Sequence, residues 1–111
     1  DMLAPVFMSA VSDASTDTIT FTMDSILNTV NRPDIGDFYV EINSIALLST
    51  DNLSVAVNGT DVTLFIKDLL MTNGDSVRVI YDDTVGDVSS AIQDSAGNDA
   101  ISFQYIGTAV L

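Results

Sequence analysis

Apolar and polar positions alternate with a period of two along most of the chain. "TITFTM" (18–23) puts Ile19, Phe21 and Met23 on one side and Thr18, Thr20 and Thr22 on the other. That is the pattern of a strand with one buried face. "FYVEINSIA" (38–46) puts Phe38, Val40 and Ile42 on one face, and "SVRVIY" (76–81) alternates again. "LSVAV" (53–57) and "VTLFI" (62–66) flank "NGTD", and Asn-Gly between two such runs predicts a tight hairpin. "PVFMSAVS" (5–12) and "AISFQYIGTAVL" (100–111) complete seven strand-like runs. Clusters of Asp, Asn, Gly and Ser separate them, which predicts an all-β sandwich of about seven antiparallel strands. "DSILNTVN" (24–31) and "KDLLM" (67–71) each have room for one helical turn, too little to change the class. No internal repeat is present.

The 111 residues suffice for one domain spanning 1–111, and 47% of them are hydrophobic, as in a folded globular chain. Apolar runs such as "IALL" are too short to cross a membrane as a helix. The first residue is Asp and no leader pattern precedes the first run, so the chain is expected to be a fragment of a longer protein. Sixteen acidic residues against three basic ones give a net charge of −13. This excludes nucleic acid and anionic membranes as expected partners, because both need clustered Lys and Arg. Cations are the natural counterpart, and calcium above all, since it takes carboxylate, amide and carbonyl oxygens. With no Cys and no His, the usual zinc, copper and haem ligands and every Ser-His or Cys-His nucleophile system are missing. The chain is expected not to be an enzyme: paired carboxylates are available for glycoside hydrolysis, but nothing in the sequence supplies a cleft.

Fifteen of the sixteen acidic residues are Asp, and Glu41 is the exception. Asp disfavours strands and favours turns, so the charge is concentrated between the runs. In an antiparallel Greek-key sandwich the linkers alternate between the two ends. One end then collects Asp1, Asp24, Asp34, Asp37, Asp61, Asp82, Asp83, Asp87, Asp94 and Asp99, ten in all. The other collects Asp13, Asp17, Asp51, Asp68 and Asp75. Crowding like charge at one end opposes folding unless a cation offsets it.

Several stretches also resemble a known family. "DMLAPVFMSAVSD" is similar to the "D…APxFxSA" opening of repeat units in large bacterial surface proteins, and "ITFTMDSIL" to their "LTFSEAL" segment. "VAVNGTDVTLFI" resembles their central hairpin, "TNGDSVRVIYDD" their "xxGDxVxVxY" strand and "IQDSAGNDAISF" their "xQDxAGNxxxxF" close. The order is kept along the whole chain. This resembles the SwmB-type repeat, which implies an immunoglobulin-like, extracellular, tandemly repeated module of an adhesin or surface layer. Its expected partners are neighbouring repeats of the same chain, and the isolated domain is expected to be monomeric. Met23 departs from the family's usual Ser, and "SILNTVNRPDIGD" is particular to this chain.

Two readings of "DSAGND" (94–99) follow. As a turn, Asp94 caps it, Gly97 supplies a positive φ, and Asn98 and Asp99 satisfy backbone groups. As a calcium site, oxygens come from Asp94, Asn98, Asp99, the chain entry at Asp1 and Asp24, with Asp82, Asp83 and Asp87 as further candidates. It is neither an EF-hand nor an RTX roll, because "DxDxDG…E" and repeated "GGxGxD" are absent. Asp24 would otherwise cap "DSIL". The rival to a structural role is a module binding a surface glycan or a host or substratum ligand, with Tyr39, Tyr81 or Tyr105 as the stacking ring. Asn52 and Asn58 stand in sequons, and Asn58 is accounted for by the hairpin.

Overall fold

Each alternating run becomes a strand in the computed structural model, which describes residues 4–30, 33, 35–47, 54–66, 71–82 and 91–111. The strands are β1 (Phe7–Asp13), β2 (Thr18–Met23), β3 (Phe38–Ile42), β4 (Ile45–Ala46), β5 (Ser54–Asn58), β6 (Asp61–Phe65), β7 (Ser76–Tyr81) and β8 (Phe103–Thr108). They form two four-stranded antiparallel sheets, in the orders β1-β2-β6-β5 and β4-β3-β7-β8. The all-β, two-sheet architecture expected from the alternation is the one the chain adopts. A 3₁₀ turn at Ile35–Asp37 is the only helical element among the described residues. No helical turn forms over the described part of 24–31. Leu27 instead bridges to Asp94 and is buried. The other proposed helical turn lies outside the described residues except for its last residue, Met71, which is buried.

The inner faces are the ones the alternation marks. Ile19, Phe21 and Met23 of β2 and Val62 and Leu64 of β6 pack against Phe38, Val40 and Ile42 of β3 and Val77, Val79 and Tyr81 of β7. Phe21 is fully buried, with ring centroids of Phe7, Phe38, Phe103 and Tyr105 at 6.0, 6.1, 5.6 and 5.9 Å. The outward threonines bond across strands: the Thr20 and Thr63 hydroxyls are 3.3 Å apart, and Thr22 donates to Asp61 Oδ1 at 3.0 Å.

The third run does not stay one strand. It reverses at Asn43 and Ser44, with φ of 53° and 67°, and Ile45 returns opposite Ile42. Positive φ at both central residues is the geometry of a type I′ turn. Asn43 tolerates it, its amide is held by Asp75 Oδ1 at 3.0 Å, and its Oδ1 accepts from Ser76 N at 3.0 Å. The predicted hairpin forms one residue later than its Asn-Gly pair suggests. Asn58 pairs with Asp61, the loop is Gly59-Thr60, and Gly59 has φ 61°, as at the first central position of a type II′ turn.

One long side of the sandwich is stitched together. The rings of Phe7 and Phe103 stack at 4.7 Å, and the hydroxyls of Ser12 and Tyr105 are 2.8 Å apart. Asp13 and Val110 form a parallel bridge, with Ala14 N donating to Val110 O at 2.7 Å and Val110 N to Ser12 O at 2.9 Å. Tyr105 lies over Gly107, where an added Cβ would collide with its ring.

Candidate functional site

Hydrogen bonds between linkers fix which ones share an end. Met23 N and Leu27 N donate to Thr60 O and Gly59 O at 2.9 and 2.8 Å, and Asn28 N donates to Gln93 O at 2.8 Å. Val6 N donates to Asp24 Oδ1 at 2.8 Å. The entry to β1, the segment after β2, the β5–β6 turn and the segment before β8 therefore meet at one end. At the opposite end, Ile66 N donates to Asp17 O, and Ala109 N to Asp75 O, at 2.9 and 2.8 Å.

The loop at 94–99 is built around one carboxylate. Asp94 is 4% exposed. Its Oδ1 accepts from Ala96 N and Asn98 N at 3.0 and 2.9 Å, and its Oδ2 from Asn98 Nδ2 at 2.9 Å. Gly97 has φ 89°, and its N–H donates to Asp94 O at 3.1 Å. The Asn98 side-chain amide, then the N–H groups of Asn98, Ala96 and Gly97, hold the Asp94 carboxyl below its ordinary range. Asp99 faces the other arm of the loop, where its Oδ1 accepts from Gln93 Nε2 at 2.7 Å. Below it, the buried Tyr81 hydroxyl accepts from Ile92 N at 2.9 Å. The turn chemistry expected of Asp94 and Gly97 is thus realised. Sequence reasoning left Gln93 and Tyr81 unassigned as its supports. Tyr81 is 11 positions from its partner, and no local pattern connects them.

The other site residues fall around this loop without converging on it. Asp24 Oδ1 clamps Val6 N and accepts from Ser25 Oγ at 3.0 Å, fastening the entry of β1 to the end of β2. Asp82 is exposed, its N–H donates to Asp37 O at 2.9 Å, and Ser102 Oγ lies 3.5 Å from its Oδ1. Asp1, Asp83 and Asp87 lie outside the described residues. Among the described residues no group of three or more carboxylates is gathered for a metal ion. The donor set nevertheless consists of hard oxygens, which suit calcium. Asp94 fits it least, because N–H groups already occupy three of its roughly four acceptor positions. Asp24 Oδ2 and Asp99 Oδ2 accept no hydrogen bond among the described residues.

The candidate stacking rings separate cleanly. Tyr81 is fully buried, which corrects the expectation that its ring could stack on a sugar, and Tyr105 is half-buried against the core. Alternation turned their rings inward. Tyr39 is 44% exposed on the outer face of the second sheet. Its hydroxyl donates to Glu41 Oε2 at 2.7 Å, Glu41 Oε1 is 3.0 Å from Arg78 Nη1, and Arg78 Nε donates to Gln104 Oε1 at 3.3 Å. The Tyr39 hydroxyl and the Arg78 guanidinium hold Glu41 below its ordinary range. This is the one ion pair among the described residues.

No family model, no curated protein and no solved structure matches the chain.

Proposed function

We propose that the chain is a structural, calcium-binding module of a bacterial cell-surface adhesin, set in a tandem array and stiffened by calcium at its acidic end. The observation that supports this most is the gathering of the chain entry, the 24–30 segment and the 91–100 segment at one end by backbone hydrogen bonds. Ten of the fifteen Asp belong to linkers assigned to that end. The strand orders support an immunoglobulin-type Greek key, with β1-β2-β6-β5 on one sheet, β3-β7-β8 on the other and β4 added outside β3. Val6 and Val110 lie toward opposite ends, so successive modules would join end to end. Of the described candidates, Asp24 and Asp99 each keep one carboxylate oxygen without a hydrogen bond among the described residues, and Asp1, Asp83 and Asp87 stand as further candidates from the sequence. Asp94 and Asn98 would shape the loop that presents Asp99.

Extracellular calcium modules bind at about 10⁻⁴–10⁻³ M. At a hundredfold excess one site adds about 2.7 kcal/mol. Thermal unfolding in calcium and in EDTA, at fixed ionic strength, tests the reading. The melting temperature should be higher in calcium, less raised in magnesium, which dehydrates reluctantly, and unresponsive in an Asp24→Asn/Asp99→Asn variant. Equal melting temperatures in calcium and EDTA would overturn it.

A further inference from the structure

Asparagine is a thermolabile residue, most of all ahead of glycine. The backbone nitrogen of the next residue attacks the side-chain carbonyl carbon, and a glycine there has no side chain to obstruct the approach. The chain contains two such pairs, Asn58-Gly59 and Asn73-Gly74. All four residues are exposed. A Cβ added to either glycine would meet no atom within 4 Å, and both glycines hold a positive φ, 61° and 93°. Crowding and exposure therefore do not separate the two pairs.

Hydrogen bonding does separate them. Gly74 N donates to Ala109 O at 2.8 Å, and Asn73 Oδ1 accepts from Leu111 N at 3.0 Å. The attacking nitrogen and the side chain it would attack are both held. At the other pair neither is: among the described residues, Gly59 N and the Asn58 side chain make no hydrogen bond. The remaining described asparagines are fastened too. Asn28 Oδ1 accepts from Val30 N at 2.8 Å, the Asn43 amide donates to Asp75, and the Asn98 amide donates to Asp94. Asn58 is thus the described asparagine whose side chain is left loose, and glycine follows it.

We infer that Asn58 is a site of spontaneous deamidation, and that the fold directs the reaction there by restraining the Asn73-Gly74 pair. The Gly59 nitrogen gives up its proton to base and attacks Asn58 Cγ. The new N–C bond closes a cyclic imide, and the Cγ–Nδ2 bond breaks to release ammonia. Water then opens the imide at one carbonyl or the other, leaving aspartate or isoaspartate. Either product adds a negative charge to the end where the acidic linkers gather. Isoaspartate also lengthens the main chain by a methylene at the last β5–β6 pair, Asn58 with Asp61. Ring closure needs the Asn58 backbone to rotate out of its extended form, so the reaction passes through local opening of the turn. The end of a ladder opens at less cost than its middle. The inference rests on this turn and does not depend on the adhesin reading.

Peptide mapping by mass spectrometry tests this on the 111-residue chain, incubated folded at mildly alkaline pH and, in parallel, unfolded in urea. In the folded chain, deamidation should build up several-fold faster at Asn58 than at Asn73. Both aspartate and isoaspartate should be found at Asn58, and the rate should rise with pH, as loss of the amide proton requires. In urea the restraints on Asn73 and Gly74 are gone, and the two pairs should react at similar rates. Asn58→Gln, whose longer side chain must close a larger ring, should lose the modification at that position and leave the rate at Asn73 unchanged. The comparison of folded with unfolded chain needs no variant, so it stands whether or not this one folds. Equal rates at the two pairs in the folded chain would overturn the inference. So would a faster reaction at Asn73, an Asn58 that stays intact until urea is added, or the same preference for Asn58 in urea as in the folded chain.

Discussion

The carboxylates of this chain act first on their own backbone. Asp94, Asp13 and Asp75 each accept bonds from groups two to four residues away, except for the Asn43 amide on Asp75. All three are held below the ordinary value of 3.8: Asp94 chiefly by the Asn98 amide, Asp13 by the Ser15 hydroxyl, and Asp75 by the Thr72 N–H. A depressed folded value adds stability that is present above the unfolded value and lost as pH falls through the folded one. The stability that native protein holds over an Asp94→Asn variant should therefore be steady above pH 3.8 and shrink below it. Urea midpoints of the two proteins against pH check this, and a gap unchanged into the acid range would contradict it. The part of the site that was legible in the sequence is the part with short reach. Asp94, Gly97 and Asn98 could be read as a turn because their partners lie within four residues. Tyr81 and Ser12 could not be assigned, because their partners are brought close only by the closed sandwich.

At the scale of elements, period-two alternation located β2 and β7 to the residue, since one face of each is buried without interruption. It misread the third run because Ile42 and Ile45 continue an apolar pattern through a reversal. Asn43 was the available signal, as a residue that tolerates left-handed backbone, but Ser44 is not a usual partner for it. The final strand was overestimated in the same way. Ala100, Ile101 and residues 109–111 lie outside β8, yet Ala100 and Ala109 belong to the core, their backbones held by Ile92 and Asp75. Ser44 holds φ 67°, a region that costs a residue with a Cβ about 1–2 kcal/mol. Ser44→Gly should therefore raise stability by up to about 1 kcal/mol, and Ser44→Val should lower it. Thermal melts of both variants, giving opposite signs, check the turn assignment.

At the scale of the whole molecule, two features set behaviour under load: the charge and the stitched side. Repulsion within a chain of −13 weakens with added salt, so melting temperature should rise with NaCl even in EDTA, before any specific ion is supplied. A flat response to salt would mean that the carboxylates are already offset within the fold. The stitched side has a mechanical consequence. β1 is joined to β8 by the Phe7–Phe103 stack and to Val110, just beyond β8, by a parallel bridge, with Phe7 toward one end of the domain and Val110 toward the other. Tension along the chain would load the Ala14–Val110 and Ser12–Val110 bonds and the Phe7–Phe103 stack in shear, all at once, rather than peeling them apart one by one. Forced unfolding is governed by the unfolding rate, so the force needed to open the domain can be large even if its equilibrium stability is ordinary. Replacing Ser12 with Ala and Phe103 with Leu should lower the rupture force in single-molecule pulling disproportionately to the loss of stability measured in urea. A domain built this way yields late and abruptly when it is pulled from its two ends.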